Sequence, residues 1–150
     1  MDTNLVAQLL AAAVRITGLP AITDAEVPQL ISMSKEAITQ EMCPERPSQC
    51  DTLVALFEPL KYRVIYRNTL NLTRPYDRSF LVHELVHVLQ FKAKGASIFA
   101  SCKARVLAER EAYLSQDRFL AENALEIQVS GALRFMQCPE EPSQGVAAKN

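Results

Sequence analysis

The chain has 150 residues, of which 49% are hydrophobic and 22% charged, a composition that excludes a disordered segment and suffices for one domain with its own core. Its 16 Lys and Arg against 17 Asp and Glu leave a formal net charge of −1, which excludes the cationic footprint of a nucleic-acid binder. One domain over residues 1–150 is expected, with a loosely ordered tail from about residue 139.

Residues 4–16 carry Leu5, Leu9, Ala12, Ala13 and Ile16 at helical intervals, with Asp2 or Thr3 to start a helix and Gly18-Leu19-Pro20 to stop it. This stretch is interrupted by Gln8 and Arg15 and is too short to cross a bilayer, so no transmembrane segment is expected. Nor does it read as a secretory leader, because no Lys or Arg precedes it and no clear cleavage site follows. The expected location is cytoplasmic for an intact precursor, and periplasmic or secreted for a chain whose leader has been removed.

Residues 30–33 read as a short strand, after which Ser34 caps a helix to about Glu41. The segment from Cys43 to Cys50 contains Pro44 and Pro47 and reads as a disulfide-stapled loop; the alternative is two reduced, partly buried thiols. Four cysteines allow three pairings, and a Cys43–Cys50 bond leaves Cys102 with Cys138, a pattern suited to an oxidising compartment. Residues 52–57 and 62–66 form the arms of a hairpin across Glu58-Pro59-Leu60-Lys61.

Asn68, Asn71 and Pro75 then take the chain out of the sheet. Asp77 or Thr73 is the expected cap of a helix that runs through about Lys92 and ends at Gly95. Its buried surface comprises Phe80, Leu81, Leu85, Val88 and Leu89, with His83, Glu84 and His87 on an adjoining stripe. Ser101 or Ser97 starts a helix over 103–120, and a further helix is expected over 121–135 from Leu125, Val129, Leu133 and Phe135. The elements add up to an α+β fold with a short antiparallel sheet.

Both histidines of the chain fall in His83-Glu84-Leu85-Val86-His87. On a helix, imidazoles four residues apart project from neighbouring turns and can meet one zinc ion, with the carboxylate between them offset toward metal-bound water. A catalytic zinc commonly takes three protein ligands, and with no third histidine the remaining ligand falls to a distant carboxylate or another oxygen donor. Glu109 and Glu111 lie on the next long helix but point about 200 degrees apart, so only one faces the metal.

These residues resemble the gluzincin metallopeptidases. More narrowly, His83 to Gln90 followed by Cys102 and by Glu109-Arg110-Glu111-Ala112-Tyr113-Leu114-Ser115-Gln116 looks like small bacterial zincin-like proteins, the likeness spanning roughly residues 27–120. The resemblance implies a compact zincin-like domain in which a metal-binding helix is followed by a ligand helix. It implies His83, His87 and Glu109 as zinc ligands, with Glu111 as runner-up. The implied reaction is cleavage of peptide bonds by attack of metal-bound water, with Glu84 as general base.

Tyr113 stands where the related motif has an aspartate that supports a ligand histidine. Tyr113, Tyr66 and Arg110 are the candidates to stabilise charge on the carbonyl oxygen. The second hairpin arm, residues 62–66, occupies the place of the substrate-aligning edge strand. The implied partner is a peptide or protein substrate; the alternative is a zinc-stabilised, noncatalytic binding or scaffold protein of the same fold.

Overall fold

The fold, taken from a computed structural model, is described for residues 1–139. Helix α1 (Thr3–Thr17) starts at Asp2, whose carboxylate accepts the Asn4 N–H, and stops at Gly18, whose φ of 72° is easily adopted without a Cβ. Strand β1 (Gln29–Met33) leads into α2 (Lys35–Met42), where the Ser34 hydroxyl accepts the Ala37 N–H. The expected loop is closed by a Cys43–Cys50 disulfide, and the chain enters the hairpin of β2 (Ala55–Glu58) and β3 (Arg63–Arg67). Arg63 pairs with Glu58 and Glu41, joining the hairpin to α2.

The sheet is mixed rather than purely antiparallel. Its order is β1-β3-β2, with β3 antiparallel to β2 and parallel to β1. The intervening α2, disulfide loop and β2 provide the crossover that a parallel pair requires. Consequently β3, the arm expected to offer a free edge, is paired on both sides, and the edge strands are β1 and β2, of which β2 lies beside α3.

Helix α3 (Pro75–Lys94) bears both histidines, and α4 (Cys102–Glu122) folds back against it. Neither Asp77 nor Thr73 caps α3; Arg74 holds that position without a side-chain bond. Pro75 at the first helical position brings a fixed φ and no N–H, so the start is set by proline. Asp77 instead accepts the Asn71 N–H at 2.6 Å, and Thr73 donates to the Asn71 side chain. Gly95 ends the helix as expected.

The stretch Leu81 to Gln90 is buried residue by residue, because the sheet, α1 and α4 enclose α3 from different sides. Leu81, Val82, Leu85, Val88 and Leu89 join Leu9 and Ala13 of α1, Val64 of β3 and Ala112 of α4 in one apolar cluster. The adjoining polar stripe is therefore interior as well.

Helix α4 begins at Ser101, whose hydroxyl accepts the Ala104 N–H. The further helix expected over 121–135 does not form. Ala124 takes a left-handed φ of 60°, and the Ala124 and Leu125 N–H groups close on the Ala121 and Leu120 carbonyls, which terminates α4. The Asp117 carboxylate then accepts the Val129 N–H at 2.6 Å and the Ser130 N–H at 3.3 Å, diverting both from helical bonding. Only a 3₁₀ segment, Ser130–Phe135, follows, before Cys138 bonds to Cys102. Most of the tail expected from about residue 139 falls in 140–150, outside the described residues.

Leu89 is fully enclosed, so Leu89→Ala should destabilise the protein by about 2–5 kcal/mol. Urea unfolding checks this; a loss below about 1 kcal/mol would mean that the neighbouring helices close over the gap.

Candidate metal centre

Burial of α3 leaves its polar groups without bulk water. Ser79, His83, Glu84, His87 and Gln90 are all at most 7% exposed, and each must find a partner inside the protein. α4 supplies most of them.

Glu109 faces both histidines. One carboxylate oxygen lies 3.1 Å from His83 Nε2 and the other 2.8 Å from His87 Nε2. One donor atom from each of His83, His87 and Glu109 falls within 4.8 Å of the others, a spacing a single ion can span. Glu111, two residues on, turns elsewhere and accepts from the Gln90 side chain at 2.9 Å.

The outer ring nitrogens meet glutamines. His83 Nδ1 lies 3.1 Å from Gln116 Oε1, and His87 Nδ1 lies 2.8 Å from Gln90 Oε1. The orientation of each amide follows from its other end. Gln90 Nε2 donates to the Ala108 carbonyl and the Glu111 carboxylate, which only accept. Gln116 Nε2 donates to Ser79 Oγ, which spends its own proton on the Tyr76 carbonyl. Both amides must therefore present oxygen to the imidazole. That places the ring protons on Nδ1 and leaves each Nε2 lone pair facing Glu109 in the neutral rings.

In its neutral form, His87 Nε2 tests whether the residues fit a cation. It is buried and makes no directed hydrogen bond, although Glu109 is within ion-pairing distance. Two imidazole nitrogens and one carboxylate are a donor set that zinc accepts, and a cation between them would satisfy the orphan atom. The residues fit the ion.

Glu84 stands apart from the ligand cluster. Its Oε2 accepts the Phe57 N–H of β2 at 2.9 Å, and burial pushes its pKa up against the opposing pull of His83 and His87. Tyr113, half-buried, sets its ring edge-on to His83 at 4.5 Å between centroids. Both side chains line a cavity of about 580 Å³ that also contains His83, His87 and Glu109.

The other two candidates for charge stabilisation lie elsewhere. Tyr66 is 6% exposed and belongs to the apolar core, whereas Arg110 points into a separate groove beside Arg15 and Glu122. Sequence reasoning missed the roles of Gln90, Gln116 and Ser79. A signal was present for both glutamines in that Gln90 follows His87 by three residues on the same face of α3, and Gln116 follows Glu109 by seven, on the face of α4 that meets His83.

A long helix carrying two histidines, opposed by a second helix carrying a glutamate beneath a short sheet, defines a zincin-like protein whose donor set is that of a zinc hydrolase. The chain belongs to the family described as Domain of unknown function (DUF6647), whose profile matches residues 2–139. No curated protein and no solved structure matches it.

Gln116→Leu removes the acceptor for His83 Nδ1 without altering a ligand. Zinc affinity, read by competition with a chromophoric chelator, should fall about 10–100-fold. An unchanged affinity would remove Gln116 from the support of the site.

In the metal-free protein, burial opposes the His87 imidazolium, but Glu109 and Glu84 outweigh it and raise its pKa to about 8. Burial likewise opposes ionisation of Glu109, yet the two histidines lower its pKa to about 2. The stability from His87 is therefore full below about pH 6.5 and is lost as pH rises through about 8. That from Glu109 holds above about 4.5 and is lost as pH falls toward about 2. Zinc should accordingly displace about one proton at pH 7, and bind more tightly as pH rises toward 8. Calorimetry in buffers of different ionisation enthalpy counts the proton; none released at pH 7 would contradict the assignment.

Proposed function

We propose that the protein is a zinc-dependent peptidase of gluzincin type, with His83, His87 and Glu109 holding the metal and Glu84 as general base. The observation that supports it best is the division of labour between two acids at the site. Glu109 lies between the two imidazoles, whereas Glu84 is fixed by a backbone N–H and borders the cavity beside them. Among the described residues the convergent group has three members, in keeping with an open catalytic site rather than a closed structural one. This favours the enzyme over a scaffold.

When bound, zinc supplies Lewis-acid polarisation of the substrate carbonyl and acidifies the attacking water. Glu84 takes one proton from that water as its oxygen bonds to the carbonyl carbon. Its raised pKa suits it to hold the proton, then deliver it to the amine nitrogen as the carbon–nitrogen bond breaks. Tyr113 offers its hydroxyl to the carbonyl oxygen. Burial, reinforced by Glu109 and Glu84, raises its pKa, so it remains a donor at neutral pH.

The peptide assignment draws support from the edge of β2. In an antiparallel pair, alternate residues direct both backbone groups to the partner. The bond from Arg67 N–H to the Val54 carbonyl puts Val54, Leu56 and Glu58 in the set facing β3. Ala55 and Phe57 consequently face outward, and both line the cavity. With the Phe57 N–H engaged by Glu84, the Ala55 N–H, Ala55 carbonyl and Phe57 carbonyl are left to pair with an extended peptide.

Glu84→Gln tests the assignment. Zinc affinity should change by no more than about threefold, while cleavage of a quenched-fluorescent peptide pool should fall about 10²–10⁴-fold. Equal cleavage by the variant would refute the role of Glu84, and a zinc-loaded wild type that cleaves no peptide would refute the peptidase reading.

A further inference from the structure

The cavity beside the metal ligands has a wall that none of the catalytic residues requires. Met136 and Gln137 line it from the C-terminal side, and Cys102, at the first turn of α4, lines it as well. The bond from Cys102 to Cys138 holds these pieces together. Apolar side chains dominate the remainder, including Leu53, Leu56, Phe99 and Val106.

The segment that leads to the wall packs on α4 from the outside. No residue of Ser130–Phe135 is buried, and Phe135 is 77% exposed. Upstream, the segment is fastened where Asp117 accepts the Val129 and Ser130 N–H groups. Downstream, Cys138 is the fixed point. Met136 lies between these anchors, with its backbone N–H bonded to Leu133 inside the same segment. Its half-buried position is thus held between the Asp117 anchor, the packing of the segment on α4 and the covalent tie.

We propose that Met136 and Gln137 form a substrate-binding wall that accepts an apolar side chain of the peptide, and that the Cys102–Cys138 disulfide positions this wall. The proposal rests on the zinc-peptidase reading and deepens it to substrate class. A thioether adapts to branched and aromatic side chains alike, so the wall selects apolar character more than shape. The disulfide restricts the wall before substrate arrives, lessening the ordering that binding would otherwise demand. Cys43–Cys50 staples a loop after α2 and contributes no residue to this cavity.

Two hydroxamates separate the wall from the metal. Acetohydroxamic acid reaches the metal alone, whereas a leucine-containing peptidyl hydroxamate also needs the cavity. Their binding to the zinc-loaded protein is measured by calorimetry for the wild type, Met136→Asp, the Cys102→Ser/Cys138→Ser double variant and the Cys43→Ser/Cys50→Ser control. Met136→Asp and the Cys102/Cys138 variant should each bind the leucyl compound about tenfold more weakly, with unchanged zinc and acetohydroxamic acid affinities. The control should match the wild type for both compounds.

Unchanged leucyl binding in both wall variants would overturn the proposal. Equal weakening of the two compounds would overturn it too, by placing the effect at the metal. Failure of acetohydroxamic acid to bind the zinc-loaded wild type would remove the zinc-site reading, and this proposal with it. If the Cys102/Cys138 variant does not fold, Met136→Asp retains the disulfide and decides alone.

Discussion

A helix enclosed on all sides can carry polar groups only if each is answered from within the protein, and α3 carries five in its buried stretch and first turns. That requirement organises the molecule. α4 must approach closely enough for Gln116 and Glu109 to reach His83 and His87, and β2 must lie where its Phe57 N–H meets Glu84. Ala112, fully buried at the helix contact, permits that approach. An unanswered group of this kind costs about 1–3 kcal/mol, so packing and site geometry are specified together.

The same enclosure separates two chemically identical carboxylates. Glu109, on α4 and partly exposed, meets two imidazoles and is held ionised. Glu84, on α3 and buried, has a single backbone donor and an elevated proton affinity. Surroundings rather than residue type thus keep one acid ionised and strengthen the other's hold on a proton. Glu84 is also fixed by the strand whose outer backbone borders the cavity, so this carboxylate and the strand edge share one frame.

Much of this was legible in the chain because it depends on local spacing. The interval between His83 and His87, the stops at Gly18 and Gly95, and the caps at Ser34 and Ser101 are properties of a few consecutive residues. The prolines between Cys43 and Cys50 marked the stapled loop, and the second disulfide followed by elimination. What escaped depends on distant partners. The parallel pairing of β1 with β3, which covers the second side of β3, is invisible to alternation within one strand. The helix over 121–135 had an apolar period, but the left-handed Ala124 and the hold of Asp117 on Val129 prevailed. Gln90 and Gln116 look like ordinary helix-surface residues until the opposing helix covers them.

The engaged rung of β2 has one more consequence. A bare sheet margin invites another copy of the chain to add its own strand, the first step toward fibrils. Here the margin is only four residues long, and one of its outward amides is already claimed by Glu84. Along β2 the tether that aims the acid thus also works as a gatekeeper, leaving Ala55 as the strand's one outward amide for a second copy to pair with.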